Sequence, residues 1–268
     1  MTRTVLTGLV ILLFSTAISC AQQVSVPANV KNVRSSFSFI KIVSIAEPVK
    51  CTFVSKKMGK GAIESCDITS LKPLVLRSFG SGTVIKHVID HTYVMTAAHV
   101  CWSPSTDTKT LGHKTITVNV KSNISVTDGV GGNYSAKIYA LDTKNDICVL
   151  RAHGIFGNPV KIAKAPPTHP ERVYTYGAPL AIHHPGIILL YSGFTAGGIH
   201  QKERYVNFYT LVARPGSSGS SVLNSSGEIV GLIHTAITNL QDVAIGSSLK
   251  SIQDIVKSIP EVSYERID

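Results

Sequence analysis

Polar and apolar residues alternate with period two along residues 115–120, and more loosely along residues 136–141. That period is the mark of a half-buried β-strand. Residues 37–43 alternate in part, and short apolar runs at 83–85 and 93–95 flank Asp90-His91, which reads as a hairpin turn. Residues 146–150, 172–176, 186–190, 205–209 and 228–233 add further strand candidates, and Gly, Pro, Asn and Asp fill the gaps between them. Many short strands separated by turn signals predict an all-β barrel or sandwich. One helix stands out near the end: Leu249, Ile252, Ile255, Val256 and Ile259 recur at three- to four-residue spacing, with Ser247 or Ser248 as the N-cap.

The 268 residues are 44% apolar, enough to bury a sizeable core and to exclude wholesale disorder. The formal charge of +10 is spread thinly. The densest basic patch, Lys56, Lys57 and Lys60 with Lys50 nearby, is too short for a nucleic-acid surface, and no nucleic-acid partner is expected. Arg3, the apolar stretch from Val5 to Ile18, and the small residues Ser19, Cys20 and Ala21 form a secretory signal pattern, too short to favour a membrane span. Cleavage after Ala21 is favoured. The alternative is lipidation of Cys20 in Ala17-Ile18-Ser19-Cys20, where Ala stands in place of the usual Leu of a lipobox. Membrane contact is expected only if Cys20 is lipidated. The resulting layout is a signal segment at 1–21, an N-terminal extension or pro-region at 22–74, a main domain at 75–260 and a tail at 261–268. Export leaves Cys51, Cys66, Cys101 and Cys148, an even set in an oxidising compartment. Of three connectivities, locality favours Cys51–Cys66 through a Gly59-Lys60-Gly61 hairpin, which leaves Cys101–Cys148. No cysteine or histidine spacing matches a zinc site, and no metal or cofactor is expected.

Three segments carry candidate chemistry. Thr96-Ala97-Ala98-His99 follows a strand, Asp146 opens an apolar strand, and Gly216-Ser217-Ser218-Gly219-Ser220-Ser221 is a small-residue turn entering another strand. Each alone is weak. Together they run His, Asp, Ser, one of three unrelated orders in which a catalytic triad occurs. A serine hydroxyl needs a neighbouring base to take its proton as it attacks, and imidazole has suitable basicity. A carboxylate on the other ring nitrogen fixes the tautomer and stabilises the imidazolium. Negative charge on the substrate oxygen needs backbone amides already in place, so Gly216, Ser217 and Ser218 are candidates for an oxyanion hole.

These segments resemble the trypsin-like serine peptidases, in particular the bacterial HtrA-like and glutamyl-endopeptidase-like branches of the chymotrypsin superfamily. Gly80-Ser81-Gly82-Thr83-Val84-Ile85 resembles the strand before the family histidine. Thr96-Ala97-Ala98-His99, Asp146-Ile147 and Gly216-Ser217-Ser218-Gly219-Ser220 resemble its three catalytic motifs. Gly177-Ala178-Pro179, Tyr191-Ser192-Gly193 and Gly227-Glu228-Ile229-Val230-Gly231 match further segments. The resemblance runs from about Gly80 to Val256. It implies two packed six-stranded antiparallel β-barrels with a boundary near 155–172, and a serine endopeptidase acting on protein or peptide substrates through His99 as base, Asp146 as orienting acid and Ser218 as nucleophile. Ser217 departs from the usual Asn and Ser220 from the usual Gly, and no PDZ domain is expected after Val256.

Rivals are weaker. Only Ser218 sits between the glycines of G-x-S-G, and Asp142 precedes a polar run that reads as a solvated turn. His87, His91, His113, His153, His169 and His200 read as surface or loop residues, as do the adjacent His183 and His184, with no third metal ligand. Glutamate-specific relatives read the substrate with a pocket histidine in a G-I-H motif. Here the spacing is Gly231-Leu232-Ile233-His234, one residue longer, and one step flips a strand residue to the other face. The pocket is therefore expected from Val212, Ala213, Ile233, His234 and Thr235, with a small or medium apolar preference. A catalytically silent scaffold of the same fold is the competing class. An α/β-hydrolase esterase does not fit the triad order.

Overall fold

A computed structural model describes residues 25–55, 62–111, 113–237 and 240–260. The signal pattern with Cys20, the Gly59-Lys60-Gly61 turn with its lysines, and the tail at 261–268 lie outside the described residues. Fourteen strands account for most of the rest: β1 (Phe37–Ser55), β2 (Ala62–Ser65), β3 (Leu74–Val88), β4 (His91–Thr96), β5 (Thr106–Leu111), β6 (Lys114–Asp128), β7 (Asn133–Asp142), β8 (Ile147–His153), β9 (Arg172–Gly177), β10 (Leu189–Gln201), β11 (Arg204–Tyr209), β12 (Ser221–Leu223), β13 (Ile229–Ile237) and β14 (Leu240–Ser247). The helices are α1 (Ala28–Asn32), the single turn α2 (Ala98–Cys101) and α3 (Leu249–Val256).

The strands form two closed six-stranded antiparallel barrels. The first runs β1-β3-β4-β8-β7-β6 and closes by pairing β6 with β1, while β2 and β5 extend its rim. The second runs β9-β10-β11-β14-β13-β12 and closes on β9. Strand β1 lies in the segment expected to be an extension. It pairs with β3 from Phe37↔Thr83 to Ala46↔Leu74 and with β6 from Ser38↔Asp128 to Phe53↔Lys114. The first barrel therefore begins at Phe37, and a boundary at 74 would cut through it.

Side-chain alternation divides each central strand between two cores. In β8, Cys148, Leu150 and Ala152 fill the first barrel, with Val94 of β4 and Val126 of β6. Its intervening residues Ile147 and Val149 join a cluster between the barrels, with Tyr93, Met95, Tyr174, Leu223, Leu232 and Ile252 of α3. Burial on both faces explains why these strands read as continuous apolar runs. In the second barrel, Val173, Tyr209, Leu211, Val222 and Val230 pack the interior. Ser248 caps α3 by accepting the Ser251 amide at 3.2 Å.

Two disulfides join Cys51 to Cys66 and Cys101 to Cys148. The second spans 47 residues and ties α2, which carries His99, to β8, which follows Asp146. A cross-link closing a loop of that length restricts the unfolded chain by an amount worth about 4 kcal/mol. We predict that the double variant Cys101→Ala/Cys148→Ala loses about that much stability in urea unfolding, and a loss under about 1 kcal/mol would contradict the reading.

Candidate active site

Strand β4 ends at Thr96, Ala97 takes an extended conformation, and one turn of α2 presents His99 at the surface. Ala97 and Ala98 are buried, and Ala97 packs with Val100 and Cys101 into the core of the first barrel. Opposite, Asp142 accepts from the Asn145 amide (2.9 Å) and from its Nδ2 (2.7 Å). This closes a tight loop that delivers Asp146, itself at φ +57°, a left-handed conformation that Asp tolerates better than most residues. Asp142 thus shapes the loop that presents the other acid.

The Asp146 carboxylate holds His99 at two points. Oδ1 accepts the His99 backbone amide at 2.9 Å, and Oδ2 accepts Nδ1–H of the ring at 2.8 Å. With the proton on Nδ1, the lone pair of Nε2 is free. Burial raises the Asp146 pKa, but the His99 ring and amide hydrogen bonds, with the nearby imidazoles, outweigh it and hold the carboxyl below its usual range.

The Ser218 turn is fixed by backbone bonds. Ser217 N–H donates to Arg214 O (2.8 Å), Gly219 N–H to Ile233 O (2.7 Å) and Ser220 N–H to Ser217 O (3.0 Å). Ser217 Oγ accepts the Arg214 amide at 3.3 Å. Gly216 has φ +96°, and a Cβ there would lie 2.3 Å from Ala178 O. Gly219 has φ +88°, and a Cβ there would lie 2.1 Å from Ser81 O. Only glycine fits either place. Among the described residues nothing accepts from the amides of Gly216 or Ser218, whereas that of Ser217 is engaged. Of the three amides expected to serve as oxyanion donors, that of Ser217 is therefore already committed to Arg214 O. Ser218 Oγ makes a 3.5 Å hydrogen bond to His234 O and none to His99.

Sequence reasoning missed Ser81, which it used only as part of a motif. This fully buried residue of β3 donates its amide to Ser218 O (2.8 Å) and its hydroxyl to Gly216 O (2.8 Å). The same hydroxyl accepts from the Ala178 amide (3.0 Å), and Ser81 O accepts from Thr96 Oγ1 (2.7 Å). One residue of the first barrel thereby holds the Ser218 turn of the second. Its signal was a polar side chain between two glycines, just ahead of the apolar run Val84-Ile85.

The pocket residues divide. Ala213 and Ile233 are packed in the interior of the second barrel, so the expectation that Ile233 opens onto the substrate is not met. Val212 is half-buried and Thr235 exposed. His234 is the extra residue of a bulge, because Ile233 pairs with Gly246 and Thr235 with Ile245. Its ring turns to the carboxylate, with Nδ1 3.9 Å from Asp146 Oδ2, and its Nε2 is buried without a partner. Burial, opposed by the Asp146 charge and helped by Arg204 and His99, pushes its pKa down from the usual 6.5 to about 4.

Between those two values the unfolded chain takes up a proton at His234 that the folded chain refuses. Stability from the neutral ring is therefore complete above about pH 6.5 and drains away as the pH falls towards about 4. From about pH 7 to about pH 4.5, the wild type is expected to lose roughly 2–3 kcal/mol more than His234→Gln in urea titrations. Equal losses would mean that the ring is not held neutral.

A family model described as Trypsin-like peptidase domain matches residues 80–232, which include all three triad candidates. Two curated proteins called Serine protease HtrA-like, from strains of Staphylococcus aureus, are 23% identical over 195 residues and 24% identical over 201. Each match covers 67% of this chain and 23% of the relative, so the chain aligns with less than a quarter of their length. Among solved structures, the active form of the Rv3671c protease from M. tuberculosis superposes with a TM-score of 0.55 at 17% identity, covering 87% of this chain and 84% of that one. An inactive form gives a TM-score of 0.53 at 16% identity, covering 88% and 93%. These two agree with the two-barrel architecture. With the family match extending over more than half of the sequence, the chain belongs to the trypsin-like peptidase domain family.

Proposed function

We propose that this chain is an exported serine endopeptidase that cleaves protein or peptide substrates through Ser218, His99 and Asp146. The observation that carries the reading is the two-point clamp of Asp146 on His99 beside a turn with two uncommitted amides. Ser218 Oγ attacks the scissile carbonyl while His99 Nε2 takes its proton, and the ring later returns that proton to the leaving amine. Asp146 stabilises the imidazolium, and the Gly216 and Ser218 amides stabilise the oxyanion. The acyl group stays on Ser218 until water, activated by the same ring, releases it. Two disulfides fit an oxidising compartment outside the cytoplasm. The apolar, half-buried Val212, expected in the pocket, supports a small or medium apolar residue before the scissile bond rather than Arg or Lys.

One observation favours a second reading, a silent scaffold: the hydroxyl of Ser218 faces His234 O rather than His99. Catalytic hydrogen bonds are often long before substrate arrives, so this alone does not decide. A fluorophosphonate probe does. Labelling of the wild type, absent in Ser218→Ala, is the expected outcome. A folded wild type that stays unlabelled supports the scaffold.

Ser81 supplies a finer test of the oxyanion geometry. Ser81→Ala removes the donor to Gly216 O and leaves the Ala178 amide without its acceptor. We predict a fall in kcat of about tenfold or more with KM little changed, and a stability loss of about 1–3 kcal/mol. A variant with wild-type kcat would show that the turn holds its shape unaided.

A further inference from the structure

Strands β4 and β8 pair antiparallel, from Thr92↔Ala152 to Thr96↔Cys148. His99 and Asp146 flank one end of this pair. Asp90, His91 and His153 gather at the other, about 17 Å away along the strands. Asp90 lies in the two-residue turn between β3 and β4, where Ile89 has φ +53°, a costly conformation for a β-branched residue. The turn is pinned to the end of β8: Gly154 N–H donates to Asp90 O (2.7 Å), and Thr92 Oγ1 donates to Gly154 O (2.7 Å). The backbone thus fixes all three residues side by side.

Their side chains converge. His91 Nδ1 lies 2.6 Å from Asp90 Oδ1, and His153 Nδ1 lies 3.4 Å from Asp90 Oδ2. The two rings stand 5.4 Å apart at 63°, and one ligand atom from each of the three residues falls within 4.8 Å of the others. Exposed ion pairs contribute little, so ion pairing alone is a weak reason for three solvent-facing side chains to meet. A tetrahedral ion bound at 2.0–2.1 Å sets its ligand atoms about 3.3 Å apart, and the two imidazoles lie 2.6 and 3.4 Å from the two oxygens of Asp90, on either side of that value. The separate turn and strand end explain why sequence reading assigned His91 and His153 to unrelated surface positions.

We propose that Asp90, His91 and His153 bind one divalent transition-metal ion of the zinc class. Two imidazole nitrogens and one carboxylate oxygen suit zinc, nickel or copper, whereas magnesium and calcium want oxygen ligands. The fourth position faces solvent and takes water. The bound ion links the β3–β4 turn to the end of β8, as the Cys101–Cys148 bond links the opposite end of the same strands. Its effect is therefore on stability, independent of the Ser218 chemistry.

The test uses chelator-stripped protein titrated with zinc chloride in a calorimeter, with melting followed in parallel. One ion per chain is expected, with Tm rising about 5 °C or more at a zinc concentration about a hundred times the dissociation constant. His153→Gln and His91→Gln should each weaken binding about tenfold or more and remove the shift, while His200→Gln, an exposed ring elsewhere, should change neither. Magnesium chloride should give no shift. A wild type that takes up no zinc overturns the proposal. So does a folded His153→Gln that binds as the wild type does, because the ion then sits on other histidines.

Discussion

Ser81 donates its amide to the Ser218 carbonyl and its hydroxyl to the Gly216 carbonyl. These bonds carry the fold's geometry into the Ser218 turn. The turn enters β12 of the second barrel, yet its two outward-facing amides are aimed by a residue of the first. Thr96 locks the Ser81 carbonyl in turn, and Thr96 stands three residues before His99. A displacement of one barrel against the other would thus disturb His99 and the Gly216 and Ser218 amides together. The apolar layer between the barrels, with Ile147, Met95 and Leu232 at its centre, resists such a displacement. Close packing makes that resistance stiff, since a filled interior has few alternative arrangements.

The electrostatics follow from the same arrangement. Asp146 sits where two imidazoles meet, one exposed and one buried. His99 donates to the carboxylate twice, once from its exposed ring and once from its backbone amide. His234 is buried, which pushes its pKa down to about 4, so near neutral pH its uncharged ring lies beside the carboxylate without taking a share of its charge. The bulge in β13 creates this difference by turning His234 away from the barrel interior that Ile233 fills.

Much of this was legible in the sequence because the motifs are local. Thr96-Ala97-Ala98-His99 and the Gly216–Gly219 turn encode tight backbone paths in small residues, and α3 shows its apolar spacing together with its Ser248 cap. Other features were hidden because they depend on partners far along the chain. Strand β14 was missed because Gln241 and Asp242 interrupt its apolar pattern, and its existence rests on pairing with both β11 and β13. β5 was missed because Thr106–Leu111 is almost wholly polar and pairs only with β6. The orientation of Ile233 was misjudged because the extra residue noted after Gly231 is taken up by a bulge at His234 rather than by a change of face at Ile233. The role of Ser81 needed the second barrel to be in place.

The closure of the first barrel by β1 has a kinetic side. Strand β1 is made before the other barrel strands, and its partner β6 is made only after β2, β3, β4 and β5. Ile40 must wait for Val126. Pairings so distant in sequence are slow to form, and until they form β1 presents an unpaired edge. The same pairing sets limits on proteolytic maturation. Arg77 and Ser78 lie within β3, hydrogen-bonded against Val43 and Ile42, so a cut there would sever a barrel strand, whereas a cut ahead of Phe37 would leave all twelve barrel strands whole.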